Sequence, residues 1–521
     1  MENGSFRDPS LASVESKRVL VEFSSPAIGK DFDGNHLRST VLGNFVSNLY
    51  QHMGWDVVRL NYLGDWGKQI GVLAAALRRY GSDELLESDP LGHIHDVYDK
   101  VREPLKHELE ATRHAREEGE PIQVAEEGSI LAERDAFFKK LENGEPSANE
   151  LCARIRDCTL DSLKPAYESF DYPFDEYCGE SRVKAGTIAE IGEKFKELGL
   201  YEEQDGAWIV DFEKHGATEL GLEKLRDHAG STTYFMRHIA TALERDRSYS
   251  FDRMIYVVSY RQNIYFRQVK KVLELLGRGD LAAKLEHISF GEMQGISKNL
   301  QDAYSLSRIL QVCGDILRSA SGKERQTSVV AGILATPGDT VSASVLATLA
   351  VSARRALAVS VDPKSMVSAE GDSALRLHAC LEHLSKALTT LQTDEVKAAE
   401  PDYSCLEDEA TIELLGLMAR YPDIVASVYN SVEPSVILNY LLRLADSITD
   451  GVADDDEEEL IGKSENGLGA EDGSDREAEG EEEESAQCQR ARAELYECGE
   501  QILNAGMKLL GIPRLCGFPK V

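Results

Sequence analysis

The sequence predicts an α/β fold, a doubly wound parallel sheet followed by an all-helical domain. Three observations predict it. Short β-rich runs are each followed by a helical pattern, the last third loses those runs, and glycine and proline punctuate the transitions. The first unit is "RVLVEFSSP" (18–26), a β-rich run closed by Ser-Ser-Pro, with a helical pattern from Asn35. "WDVVRLNYLG" (55–64) repeats the plan and leads into "KQIGVLAAALRRYG". Residues 90–170 are charged and helical, and 180–215 mix helix with a short β segment at "GAWIVDF". "FDRMIYVVSY" (251–260) is a further strand ahead of "QVKKVLELLG".

Beyond these units the apolar spacing becomes helical, as at Leu414, Leu415, Leu417 and Met418, with prolines as stops. The terminal "ELYECGEQILNAGMKLLGIP" reads as a helix ended by Gly511 and Pro513. The expected organisation is a flexible start (1–17), a catalytic domain with a helical insertion (18–330), a helical connector (331–364) and an all-α domain (365–521). Residues 454–485 interrupt the last domain with 16 acidic and two basic residues, a composition that reads as a solvated, disordered insertion.

Composition narrows the function classes. The 521 residues carry 57 basic and 91 acidic side chains, a formal charge of −34. Such a chain is a poor non-specific binder of DNA, because phosphates bind through Lys and Arg. Nine cysteines from Cys152 to Cys516 form no CxxC pair, which argues against a zinc site or a disulfide framework and fits a reducing, cytoplasmic setting. No stretch reads as a signal peptide or a membrane span.

From "LNYLGDWGKQIG" (60–71) onward the chain resembles the class I arginyl-tRNA synthetases. The resemblance takes in "VEFSSP", "GESRV", "TTYFMRHIATALER", "FDRMIYVVS" and "QVKKVLELLG", resumes at "EGDSALRLHACLEHL" and ends at "ILNAGMKLLGI". It implies a Rossmann-like catalytic domain with substrates at the carboxyl ends of the strands, and a helical anticodon-binding-like domain. It also implies an arginine pocket: Glu22 on the first strand, Ser24 in the turn, Tyr234 on a helix, and Gln262 near a further contact position. A carboxylate such as Glu22 can grip a guanidinium bidentately. Two positions depart from the family pattern, with Ala27 for an Asn and His238 for an acidic residue.

Both ATP signatures of the family are altered. The HxGH positions read Asp33, Gly34, Asn35 and His36, which sets a carboxylate where phosphate would lie. The loop whose Lys would steady the phosphates reads Lys298, Asn299, Leu300, Gln301 and Asp302, with Leu300 at the Lys position and Lys298 as the available substitute.

Within this family the chain is most similar to the fungal arginine-containing cyclodipeptide synthases, which resemble truncated arginyl-tRNA synthetases with degenerate ATP motifs. That likeness implies an enzyme using arginyl-tRNA and a second aminoacyl-tRNA, without ATP, to form a cyclic dipeptide in secondary metabolism. Its acidic DDxxE motif matches in two registers, Asp454-Asp455-x-x-Glu458 and Asp455-Asp456-x-x-Glu459. Clustered carboxylates raise one another's pKa, so one could act as a general base. Two alternatives stay open: an unconventional arginyl-tRNA synthetase relying on His36 and Lys298, and a non-catalytic tRNA-binding relic. No resident cofactor or metal is expected, and the synthetase relatives suggest a monomer. Ser24 and Cys178 are candidate nucleophiles only in the weakest sense, both reading as structural.

Overall fold

A computed structural model describes residues 17–117, 128–204, 206–295, 305–320, 339–362, 366, 374–464 and 485–515. Strand β1 (Arg18–Glu22) leads through a turn into α1 (Gly34–His52), and β2 (Asp56–Leu63) leads into α2 (Lys68–Tyr80). Helices α3 (Pro90–Glu117), α4 (Ile130–Glu142) and α5 (Pro146–Ser169) follow. Next come β3 (Glu176–Gly179), α6 (Ala185–Glu197) and an antiparallel trio, β4 (Glu202–Gln204), β5 (Ala207–Asp211) and β6 (Leu222–Arg226). Helix α7 (Tyr234–Tyr249), β7 (Arg253–Ser259), α8 (Asn263–Leu275), β8 (Leu285–Phe290) and β9 (Met293–Gln294) complete this series.

The main sheet has the order β3-β2-β1-β7-β8, and every neighbouring pair is parallel. An all-parallel sheet must bury both faces, which is why Val19, Leu20 and Val21 of β1 have no exposed surface. Leu20, Leu60 and Met254 meet Phe195 of α6, Met236 of α7 and Val269 of α8 in one apolar core. Full burial of each such side chain contributes about 1.5–3 kcal/mol. From central β1 the chain proceeds to β2 on one side and pairs with β7 on the other. The carboxyl end of β1 is therefore the switch point where a crevice opens.

The principal elements after these are α9 (Leu306–Ala320), α10 (Asp339–Val351), β10 (Val359–Ser360), which pairs with β9, α11 (Ala374–Leu391), α12 (Glu409–Ala419), α13 (Tyr421–Ser431), α14 (Pro434–Ser464) and α15 (Ala486–Leu510). The molecule divides into two compact units. Described residues up to Val312 with Ala356–Ser360 form one; the described residues of Cys313–Arg355 and from Val361 on form the other. The division falls within α9, earlier than the boundary near 330 that the sequence suggests. In the helical unit, Ile437, Leu441 and Leu444 of α14 and Leu503 of α15 are buried, and a Cβ at Gly506 would meet Leu441 at 2.5 Å. That glycine lets α14 and α15 approach closely.

Two expectations change here. Helix α14 continues through the start of the acidic run to Ser464. An apolar stripe starts the helix, and each further Glu adds to it at little cost. Asp454, Asp455, Asp456, Glu458 and Glu459 fall in this span, but their side chains lie outside the described residues, as do residues 465–484. The cysteines also include a disulfide, Cys405–Cys488, with Cα atoms 5.7 Å apart. The partners are 83 residues apart in sequence, a pairing that only the folding back of the helices reveals. Among the described residues no helix is long and apolar enough to cross a membrane.

Candidate active site

The turn after β1 builds the crevice floor. Ser24 and Ser25 both adopt left-handed backbone, with φ of 67° and 47°, an arrangement that non-glycine residues hold only when their surroundings enforce it. The enforcement is visible. The Ser24 N–H donates to Ser39 Oγ at 2.9 Å, Ser24 Oγ bonds Tyr167 Oη at 2.6 Å, and the Tyr62 N–H donates to Ser25 Oγ at 3.3 Å. Ser24 is thus turned into the core, while Ser25 lines the cavity beside it.

That cavity, about 510 Å³, opens beyond the carboxyl ends of β1 and β2, with Ser25, His36, Tyr62, Trp66, Glu180 and Tyr234 in its wall. Tyr234 opens α7, whose N-cap Thr233 accepts from the Met236 N–H; its ring is 46% exposed and stacks on Tyr265. Gln262 is exposed at the start of α8, outside the cavity wall. His238, one turn beyond Tyr234, is buried with Nδ1 3.1 Å from Tyr265 Oη. Burial, aided by the Arg245 charge, lowers its pKa to about 3, so the imidazole is neutral.

The two carboxylates of the region behave differently. Glu22 makes a buried ion pair with Arg245 of α7, whose guanidinium also lies 4.9 Å over the Tyr62 ring. Burial opposes the Arg245 charge, but Glu22 together with Cys178, Tyr256 and Tyr62 outweighs it and holds the guanidinium firmly protonated. The expected grip of Glu22 on a substrate guanidinium is therefore taken by the chain's own arginine. Glu180, just after β3, instead lines the cavity at 5% exposure. Burial raises its pKa to about 8, against the pull of Arg237 and with a further push from Asp65. Arg237 spends its Nη2 on the Glu180 carbonyl at 2.5 Å and rests its guanidinium 4.3 Å over Trp66. Asp227, also in the wall, is neutralised by Lys68 at 2.9 Å. A cation entering this space would be met by Glu180.

Sequence reasoning passed over Glu180, although its signal was present: an acidic residue directly after the glycine that closes a strand.

The start of α1 carries its own carboxylate cap. Asp33 is the N-cap, accepting the His36 N–H at 2.9 Å, while His36 Nδ1 accepts the Asp33 N–H at 3.1 Å. Partial burial would raise the Asp33 pKa, but His36 and the backbone N–H groups of His36 and Asn35 hold it near 2. Gly34 and Asn35 face Met293: a Cβ on Gly34 would lie 2.1 Å from its carbonyl oxygen, and Asn35 Oδ1 accepts its N–H at 3.3 Å. The four HxGH positions thus form a capping box docked on β9. Lys30 is exposed in the preceding turn. Lys298 and Leu300 lie outside the described residues. Cys178 sits 3.7 Å from Arg245 Nη2, with burial raising its pKa, as befits a structural thiol.

The parallel sheet with its cavity at this switch point, and the separate helical unit, fit a class I aminoacyl-tRNA synthetase fold. Residues 5–317 match the family model for tRNA synthetases class I (R), catalytic domain, and 374–459 match the DALR anticodon binding domain. The chain belongs to the arginyl-tRNA synthetase family. It is 32% identical over 505 residues to a probable cytoplasmic arginine–tRNA ligase of Schizosaccharomyces pombe, covering 96% of this chain and 78% of the relative. Identity to the cytoplasmic arginine–tRNA ligase of Saccharomyces cerevisiae is 30%, covering 96% and 76%. Among solved structures, the arginyl-tRNA synthetase of Plasmodium falciparum has a TM-score of 0.68 at 16% identity, covering 98% of this chain and 80% of that one.

These relatives correct the cyclodipeptide-synthase expectation. The proteins matched over nearly the whole chain are named arginine–tRNA ligases, and neither a second aminoacyl-tRNA substrate nor a role in secondary metabolism follows from them. The acidic motif on which that expectation depended has no described side-chain geometry.

Proposed function

We propose that the protein is an arginine–tRNA ligase. In this reading arginine enters the cavity with its guanidinium against Glu180 and its backbone end toward Ser25 and His36. Its carboxylate attacks the α-phosphorus of ATP, forming the mixed anhydride and releasing pyrophosphate. The 3′-terminal ribose hydroxyl of the tRNA then attacks the carbonyl carbon and AMP leaves, while the helical unit holds the anticodon end. The observation that carries the proposal is the buried carboxylate of Glu180 in the crevice wall, a site for one buried cation in a chain similar over its length to arginine–tRNA ligases.

The Asp33 capping box favours a second reading, binding of tRNA without adenylate formation, because a carboxylate stands where phosphate would approach a helix N-terminus. Arginine-dependent exchange of pyrophosphate into ATP, measured with and without tRNA, separates the two. Exchange that requires arginine supports the ligase; its complete absence under both conditions, with tRNA still bound, supports the second reading.

A further inference from the structure

We propose that Cys405 and Cys488 are a reversible dithiol–disulfide site in the helical unit, one that takes low-molecular-weight disulfides such as oxidised glutathione as its reaction partner. Cys405 lies in a short 3₁₀ turn, Tyr403–Leu406, and Cys488 is the third residue of α15. Their Cα separation of 5.7 Å is the spacing that a disulfide bridges without moving the backbone. The two segments are also held together without the sulfurs. The Asp402 N–H donates to the Gln487 carbonyl at 3.1 Å, and Tyr403 Oη donates to Glu494 at 2.7 Å. Reduction would therefore leave the thiols adjacent and ready to close again.

Position also sets reactivity. The Cys488 N–H is capped by Ser485 Oγ at 3.2 Å, so its sulfur sits in the first turn of a 25-residue helix, where the unpaired amide dipoles favour a thiolate. Both cysteines are only half-buried. Among the free thiols, Cys313 and Cys380 are buried, with pKa values pushed by burial to about 12, and exposed Cys498 forms no disulfide with a described cysteine.

Closing the bond starts with the Cys488 thiolate attacking one sulfur of the small disulfide, which expels one thiolate. The Cys405 thiolate then attacks the Cys488 sulfur and expels the second. Two protein thiols lose two electrons and two protons, and one disulfide becomes two thiols. The bond closes a ring through α12, α13 and α14 and fixes the first turn of α15, next to the acidic stretch, against the 3₁₀ turn.

The test equilibrates the full-length protein in mixtures of reduced and oxidised glutathione. After acid quench and alkylation, peptides are mapped by mass spectrometry and the thermal midpoint is read at each ratio. The expected result is a Cys405–Cys488 peptide that appears and disappears reversibly, with a midpoint ~2–4 °C higher in the oxidised state. The shift should be absent in C405S and C488S and kept in C498S. A bond that survives reduced glutathione alone, glutathione adducts without the internal bond, or two thiols shielded from alkylation by a bound metal ion beside Asp402 would each overturn the proposal.

Discussion

Replacing Glu180 with Gln should separate the reading of charge from the filling of space. Glu180 is 5% exposed and its pKa stands near 8, so in the empty cavity the carboxyl is mostly protonated at neutral pH. A guanidinium binds the ionised form, so binding must expel a proton. With a pKa of about 8, the ionised fraction rises from about 1% at pH 6 to about half at pH 8, so arginine affinity should rise roughly 50-fold across that range. The E180Q variant keeps the shape but loses the charge-assisted bond, ~1.5–3 kcal/mol, and should bind arginine roughly 10- to 150-fold more weakly than wild type at pH 8. Titration calorimetry with arginine between pH 6 and pH 8 reads both effects. His36 also lines the cavity, so H36N serves as the control: it should keep the slope that E180Q loses. A wild-type affinity independent of pH, or a slope that survives in E180Q, would refute the assignment of Glu180 as the cation-reading group.

Stability should show the opposite sign. A carboxyl whose folded pKa is raised supports the fold fully below its unfolded value near 4.5 and withdraws that support as pH climbs through 8. E180Q should therefore melt a few degrees above wild type at pH 9 and level with it at pH 4. Breaking the Glu22–Arg245 pair by E22Q or R245M should cost ~3–5 kcal/mol in urea unfolding, and the apolar double variant E22L/R245M should recover most of it. D33A should lose ~1 kcal/mol of helix capping yet raise pyrophosphate exchange, because it clears the anionic group from the start of α1. Unchanged or lower exchange would show that Asp33 does not oppose ATP.

The parallel sheet was legible because period and punctuation report local structure: "RVLVEFSSP" and "FDRMIYVVSY" became β1 and β7. The placement of a side chain was legible only where it is decided locally, as with Tyr234, which opens α7 and lines the cavity. Glu22 pointed to the right strand but not to its use, since Arg245 reaches it from 223 positions away and takes its charge. Of the two serines after β1 the sequence singled out Ser24, whereas successive left-handed backbones turn Ser24 inward and set Ser25 on the cavity. Asp33 read only as the loss of a phosphate-binding His, whereas the structure gives it a positive task as the cap of α1. The Cys405–Cys488 pairing was invisible for the same reason as the Arg245 contact: spacing along a chain says nothing of which distant segments meet.

The Glu22–Arg245 ion pair has a mechanical side. Helix α7 meets the cavity at Tyr234 and is riveted to the end of β1 eleven residues later, ~16 Å along its axis. Arg237, near the cavity end of the same helix, also donates to the Glu180 carbonyl just after β3, so α7 is tied near both ends to strands of one sheet, which opposes its sliding or swinging. The rigid wall of the cavity is therefore the sheet and α7 together. Entry has to be granted by parts that hang from that frame, the half-exposed Tyr234 ring first among them.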